Sequence, residues 1–507
     1  MAPFLEIFGY SVLFVITSAV MVYGYFMYSY QYWKKKKMPY LEPTFPNGNN
    51  LQLFTKTFGV PLYAMDFYRQ IKDRGWKFAG IYTVARPVLV IVDPEYMKDI
   101  LVKDFDHFID RGFYYNEKKD VLSAHLFALD MAKWRDMRVK LTPTFTSGKI
   151  KMMFPMMLEV SNYMTEAIDK CIDERRDIDI REFLARFTTD VIGACAFGID
   201  CNSFKNPDAE FREMGQKIFE VRNVYHLFKL MLIANAPELA LKLDVGISRG
   251  DIEGFFRKIL GQTMKYREEN NVNRPDFLQL LINLMNSTKD TETPFTFEQL
   301  LSEVFLFFLA GFDTSSSAMS FALYEMARQP EIQEKLRDEI NSILEEGDGN
   351  VTYENINKMT YLQQVIDETL RIYPSVPNLQ RKCVKQYKMR DTDFVIEKGT
   401  QVLLPIISLH RDPQYYPDPL KFDPDRFSIE NKKNRNSILH IPFGEGPRNC
   451  IGLRFGVLQT KIGIVQILRK YRLSISPSTK MPLTLDPGVF LIRSVETLYL
   501  LAEKIAY

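Results

Sequence analysis

Cysteine is scarce and badly spaced in this chain: five in 507 residues, Cys171, Cys195, Cys201, Cys383 and Cys450, odd in number and with no pair at metal-ligand spacing. That pattern argues against a disulfide framework and a zinc site, and it fits a reducing compartment. Taken singly, Cys171, Cys195, Cys201 and Cys383 read as small buried hydrophobes. Histidine is as sparse, and His107, His125, His226, His410 and His440 form no metal-binding arrangement. There is no excess of one charge either: 65 Lys and Arg against 63 Asp and Glu leave a net charge of +2. Without an extended basic face, nucleic acid is not an expected partner. No glycine-rich dinucleotide fingerprint follows a strand-like run, so the chain has no flavin or nicotinamide site of its own. Beyond residue 50 there is no internal repeat, low-complexity linker or composition break, which points to one large domain.

What is present begins at the N-terminus. From Ile7 to Trp33 run 27 residues without a charge, followed at once by Lys34, Lys35, Lys36 and Lys37. As a helix the run is about 40 Å long, enough to cross a hydrocarbon core of about 30 Å. Tyr25, Tyr28, Tyr30, Tyr32 and Trp33 are expected as interfacial anchors, and the lysines place everything downstream in the cytosol. A cleaved signal peptide fits less well, because the charges follow the apolar run. Pro39, Pro43, Pro46 and Gly48 then suggest a stiff connector. The expected organisation is an anchor over 1–33, a basic, proline-rich linker over 34–50 and a catalytic domain over 51–507.

In the body, FAGIYTVARPVLVIVD predicts a hairpin with Arg86 and Pro87 near its turn. Apolar positions recurring every three or four residues then predict mostly helix to about residue 375, with strands returning after Tyr387 and near the end. The 38 Phe, 26 Tyr and 22 Met supply apolar volume, some of it adaptable around a cavity.

The chemistry concentrates in PFGEGPRNCIGLRFG, Pro442 to Gly456. Gly444, Gly446 and Gly452 permit tight turns, Pro442 and Pro447 stiffen the loop, and Cys450 sits at its exit. The run from Leu453 to Tyr471 has helical spacing, so N–H groups at its start can donate to the sulfur and favour thiolate. A thiolate on a rigid loop is a good axial ligand for haem iron. A core cysteine in a glycine loop is the alternative for Cys450 taken alone.

Phe443, Gly446, Arg448, Cys450 and Gly452 resemble, position for position, the haem-binding signature of the cytochrome P450 superfamily, and further motifs in the family's order extend the resemblance over essentially the whole chain. It implies a mainly α fold with small β-sheets, preceded by a single N-terminal transmembrane helix, and Cys450 as axial ligand of haem b. Glu368 and Arg371, at i, i+3 on a helix, resemble the family's helix K motif, completed by Arg426 in PDRF, where Asp425 stands for the usual Glu. The implied role is a buried network that fixes the haem loop. Ala310-Gly311-Phe312-Asp313-Thr314, capped upstream by Thr296 with Gln299, resembles the oxygen-binding groove, which implies that Thr314 and Asp313 organise proton delivery. Gly311 is read as leaving room for a ligand. Trp134 and Arg138 resemble a propionate-binding pair, with Arg381, Arg448 and Arg111 as further propionate partners.

By the same resemblance the substrate pocket draws on the loop from Phe108 to Phe127, on Phe305, Phe308, Leu309 and Ala310, on the segment Ser375 to Leu379 with Val376, and on the turn at Val489, Phe490 and Leu491. The apolar stretch Val224 to Pro237 is expected either to dip into the bilayer or to be a buried helix. Lys133, Arg135, Lys140, Lys149, Lys432 and Lys433 would form a basic face for an acidic electron donor. The implied function is a monooxygenase of the microsomal, insect detoxification type. It would insert one atom of O2 into lipophilic xenobiotics, with electrons from NADPH through NADPH–cytochrome P450 reductase and cytochrome b5 as a second donor, at the cytosolic face of the endoplasmic reticulum. Oxidation of a hormone or fatty acid, a haem-thiolate isomerase or dehydratase needing no reductase, and a haem-sequestering protein are the alternatives.

Overall fold

The computed structural model describes residues 2–49, 62–206, 210–218, 224–433, 435–486 and 490–505. Val489 and the expected boundary between residues 50 and 51 lie outside them. Helices dominate, and those that position the site are α1 (Ala2–Ser29), α2 (Met131–Leu141), α3 (Ser147–Asp173), α4 (Ile180–Ile192), α5 (Val224–Asn235), α6 (Phe297–Arg328), α7 (Thr360–Ile372) and α8 (Leu453–Leu468). The strands are β1 (Phe78–Thr83), β2 (Arg86–Ile91), β3 (Ile178–Asp179), β4 (Leu379–Lys382), β5 (Tyr387–Lys388), β6 (Val395–Ile396), β7 (Gln401–Leu404), β8 (Tyr471–Ile475) and β9 (Tyr499–Lys504). They form three small sheets, ordered β1-β2-β7-β4, β3-β9-β8 and β5-β6. β1 and β2 make the expected hairpin, pairing Phe78 with Ile91 through to Thr83 with Arg86.

α6 is the axis of the molecule. Its start is fixed by the expected capping box: Gln299 N donates to Thr296 Oγ1 at 3.3 Å and Thr296 N to Gln299 Oε1 at 3.1 Å. The helix then packs along α4 and α8, with α3 behind them, in one contiguous apolar core. An element apolar on nearly all sides has to be buried, which is why α6 runs through the centre rather than over the surface.

α1 is long and apolar enough to span a membrane, and none of its apolar stretch is buried by the body. Tyr25 and Tyr28 stand exposed on it, but Tyr30 and Trp33 do not sit as interfacial anchors. Trp33 is 1% exposed, its indole Nε1 donates to Ile81 O at 3.0 Å, and its backbone N–H donates to Tyr82 Oη at 3.1 Å. Tyr82 in turn donates to Tyr30 O at 2.8 Å. The aromatic pair seals the edge of β1, where burial of two large rings with satisfied polar tips outweighs an interfacial position. Nor does the proline-rich stretch stand clear of the body: Met38 and Leu41 are buried, and Leu41 N and Gly80 N bond Gly80 O and Pro39 O at 2.9 and 2.8 Å.

Candidate active site

The loop before α8 is shaped by two residues with left-handed backbone, Gly444 and Gly446, both at φ 76°. Gly446 is doubly required, since a Cβ there would fall 2.0 Å from Leu101 O. Cys450 N closes the turn by donating to Phe443 O at 2.9 Å, and the cysteine side chain is delivered into an internal cavity. What surface Cys450 shows is cavity wall, enclosed by protein. Burial pushes its thiol pKa up, opposed by the N–H of Gly452 and the charges of Arg111 and Arg138. The N–H of Gly452 at the helix start favours thiolate, as the sequence suggests, but desolvation outweighs it, and a metal cation at sulfur would complete the deprotonation.

Four arginines converge on the same cavity. Arg111, Arg138, Arg381 and Arg448 all line it, together with Trp134 and Phe443. Arg448 donates to Ile109 O and Leu129 O and lies 4.8 Å from the centre of the Trp134 ring. Arg111 donates to Phe127 O at 3.2 Å and Arg448 O at 3.0 Å, and Arg138 to Asn449 O and Oδ1 at 3.0 and 2.8 Å. Among the described residues Arg381 donates only to Gln380 O, at 2.8 Å, and the Nε atoms of Arg381 and Arg448 are buried without an acceptor. Burial lowers the pKa of Arg381 to about 9, with repulsion from Arg448 adding to it, and that of Arg448 to about 10 despite Asp110 and Asp130 nearby. Buried cations with unused donors call for an anion that none of the described residues supplies.

Above the cysteine runs α6. Ala310, Gly311 and Thr314 line the cavity, and Thr314 Oγ1 donates back to Ala310 O at 2.6 Å. Neighbouring side chains take further carbonyls of this turn: Thr188 bonds Phe312 O at 2.8 Å, Ser375 bonds Thr314 O at 3.1 Å and Gln459 bonds Gly311 O at 3.4 Å. Gly311 owes its identity to packing, because a Cβ there would fall 2.5 Å from Ile192 Cδ1 on α4. Asp313 does not reach the inner cavity. It lines a larger outer vestibule and pairs with Arg181 at 3.3 Å.

Beneath the site, Glu368 and Arg371 form a bidentate pair at 2.6 and 2.8 Å, both wholly buried. Arg426 Nε lies 3.6 Å from Glu368 Oε1 and its guanidinium bonds Pro417 O at 2.6 Å. Arg371 also donates to His410 O and Pro419 O, at 2.9 and 2.8 Å, so the network ties α7 to the segment leading into the cysteine loop.

The pocket expectations divide. Phe127, Ala310, Val376 and Phe490 line the cavity. Phe108 packs on Tyr387 at 5.0 Å in a separate core. Phe305 packs on Phe256 at 5.3 Å, Phe308 on Phe211 at 4.8 Å, and Leu309 against the same core. The reason is helical phase: stepping back from Ala310 by three, four and seven residues reaches Phe307, Leu306 and Glu303, which do line the cavity. Phe113, within the expected loop, lines both the vestibule and the inner cavity, as does Phe490, with their ring centres 6.2 Å apart.

The group that fits is flat, carries carboxylates for the arginines and Trp134, and brings a metal to a lone cysteine; haem meets each need. Comparison with known proteins agrees. The profile of the cytochrome P450 family matches residues 45–501. The chain is 42% identical to cytochrome P450 6a2 of Drosophila melanogaster over 503 residues, 97% of this chain and 99% of that one. It is 41% identical to probable cytochrome P450 6a14 of the same fly, over 94% of this chain and 96% of the other. It is 38% identical to cytochrome P450 6A1 of Musca domestica, over 98% and 99%. On its matched length, its cavity and these relatives, the chain belongs to the cytochrome P450 family, the haem-thiolate monooxygenases that use O2 and electrons from a partner.

Proposed function

We propose that this enzyme oxidises lipophilic xenobiotics such as plant toxins or insecticides, with electrons from NADPH delivered by a separate reductase, at the cytosolic face of the endoplasmic reticulum. The observation that carries the reading is the cavity in which a lone thiol and four arginines meet a mainly apolar and aromatic wall. An iron porphyrin held there supplies the oxygen chemistry. Cys450 holds the metal, and Trp134, Arg138, Arg381, Arg448 and Arg111 orient and neutralise carboxylates on the group's edge. Thr314 would hold a proton at its Oγ1 within the cavity. Asp313, tied to Arg181, exchanges that proton with the vestibule. Glu368, Arg371 and Arg426 fix the cysteine loop.

Lys133, Arg135, Lys140 and Lys432 are already engaged by Glu117, Asp106, Asp136 and Asp367. Lys433 is exposed with no anionic partner among the described residues, and with Lys149 it is the better candidate for contacting an acidic electron donor, reductase or cytochrome b5. Tyr225 and Phe228 stand exposed on α5, at 71% and 63%, which supports contact between this helix and lipid.

The test is the difference spectrum of the reduced protein with and without carbon monoxide, beside Cys450→Ser. Wild type is expected to show the red-shifted Soret band of a thiolate complex and the variant to lose it. A haem-loaded wild type with only the band of a neutral ligand would remove the support for this chemistry. NADPH consumption that depends on both reductase and an added lipophilic compound checks the remainder.

A further inference from the structure

The inner cavity holds an ionisable side chain that the oxygen chemistry does not use. Glu303, on α6, lines it among Phe113, Leu126, Leu306 and Phe307, and is 3% exposed. Its Oε1 accepts a hydrogen bond from Leu126 N at 2.7 Å. Oε2 has no donor among the described residues and is not sealed from the cavity. Nor does any Lys, Arg or His among the described residues stand at ion-pair distance: burial and the Leu126 N–H are the influences on this carboxyl. On the loop packed against this turn, His125 is kept neutral by burial and Arg111 is committed to Phe127 O and Arg448 O.

A buried carboxyl with no cation is costly, and desolvation pushes its pKa up to about 8. Holding the Leu126 N–H needs only a neutral acceptor, so a glutamate is more than the loop contact requires. One face of the group therefore offers an unused acceptor, and a negative charge on demand, at the end of the cavity walled by Phe113, Leu126, Leu306 and Phe307.

We propose that Glu303 is the anchoring site for a cationic nitrogen in the substrate, so that the preferred ligands are lipophilic amines. This rests on the oxidation of lipophilic molecules proposed above and names their chemical class. A bound cation holds the carboxylate ionised, and the carboxyl proton leaves to solvent. Thr314 lies eleven residues further along α6, about 16 Å along the axis. A substrate pinned at Glu303 thus presents to the Thr314 end of the cavity a carbon remote from its nitrogen.

The experiment uses the full-length, haem-loaded enzyme and two probes of one shape, trimethyl(4-phenylbutyl)ammonium and its uncharged isostere (5,5-dimethylhexyl)benzene; neither can ligate iron. Equilibrium dialysis gives the affinity ratio, and calorimetry in two buffers of different ionisation enthalpy gives protons released. The expected result is release of a proton at pH 7 with the cation alone, and a fall of the cation-to-isostere ratio by about tenfold in Glu303→Gln, with isostere affinity unchanged. Gln keeps an acceptor for Leu126 N, so a purely structural role would move both probes together or neither. An unchanged ratio in Glu303→Gln, or binding of the cation without proton release, overturns the proposal, as does failure of the cation to bind. Should the variant not accumulate, proton release by wild type decides. A ratio that shifts as expected while neither probe is oxidised with NADPH and reductase would uphold the site and sink the monooxygenase reading instead.

Discussion

Arg181 Nη2 and Asp313 Oδ1 stand 3.3 Å apart on the vestibule side of α6, while Thr314, the next residue, lines the inner cavity. Successive helical residues point about 100° apart, so the two members of the expected proton relay open onto different chambers. The ion pair holds the outer member in place.

Arg181→Met should release Asp313 without touching the haem cavity. Product formed per NADPH consumed is expected to fall by a factor of about three to ten, with the carbon monoxide spectrum unchanged. Parallel assays of NADPH oxidation and product check it; undiminished coupling would mean that Asp313 needs no partner.

Glu368→Ala would leave Arg371 wholly buried with its bidentate partner gone, a loss of about 3–5 kcal/mol. Haem-loaded protein is expected to drop sharply in yield and in thermal midpoint. Glu368→Gln, which keeps an acceptor for Asp423 N, now bonded at 2.9 Å, should lose less.

Gly444 and Gly446 share a φ of 76° but not their surroundings. Alanine at Gly444 meets nothing closer than 3.8 Å and should cost about 1–2 kcal/mol from backbone conformation alone. Alanine at Gly446 collides with Leu101 O and should abolish haem incorporation. Absorbance of the purified variants separates the two.

Acid should destabilise the protein earlier than carboxylates alone would. His125 and His440 are both held by burial at about 4 against an ordinary 6.5. Below 6.5 the unfolded chain takes up protons that the folded one refuses, so the stability is fully present above about 6.5 and is lost as pH falls through 4. Glu303 acts in the other direction: raised to about 8 from 4.5, it contributes stability present below 4.5 that is lost as pH rises through 8. Urea midpoints from pH 4.5 to 8.5 should flatten on the acid side in His440→Asn and on the alkaline side in Glu303→Gln.

Local motifs carried much of this into view from residues alone. The hairpin, the capping box of α6 and the loop that presents Cys450 are determined by turn and cap chemistry within about a dozen residues, and they can be read there. The phase of α6 could have been read as well, by counting back from Thr314 instead of selecting the largest aromatics. Other features depend on neighbours distant in sequence. Gly311 answers to Ile192, Asp313 to Arg181, and Trp33 to a strand some fifty residues on, and no periodicity within α6 or α1 announces those partners. The thiol of Cys450 shows the same limit for chemistry: the helix start is visible in the sequence, whereas the desolvation that opposes it exists only once the cavity is built.

The indole of Trp33 has a mechanical consequence. With its ring wedged over Gly80, where even a methyl group would collide, and its N–H groups spent on β1, the apolar helix ends in a socket rather than on a leash. A socketed helix transmits torque. The body cannot swivel freely about it, so with α1 placed in a bilayer its tilt would set the heading of the vestibule mouth relative to the lipid surface. Swapping α1 for an apolar helix of another length would re-aim the enzyme as well as re-anchor it, and shortening the chain from its N-terminus stays harmless to the sheet only as long as Tyr30 and Trp33 remain.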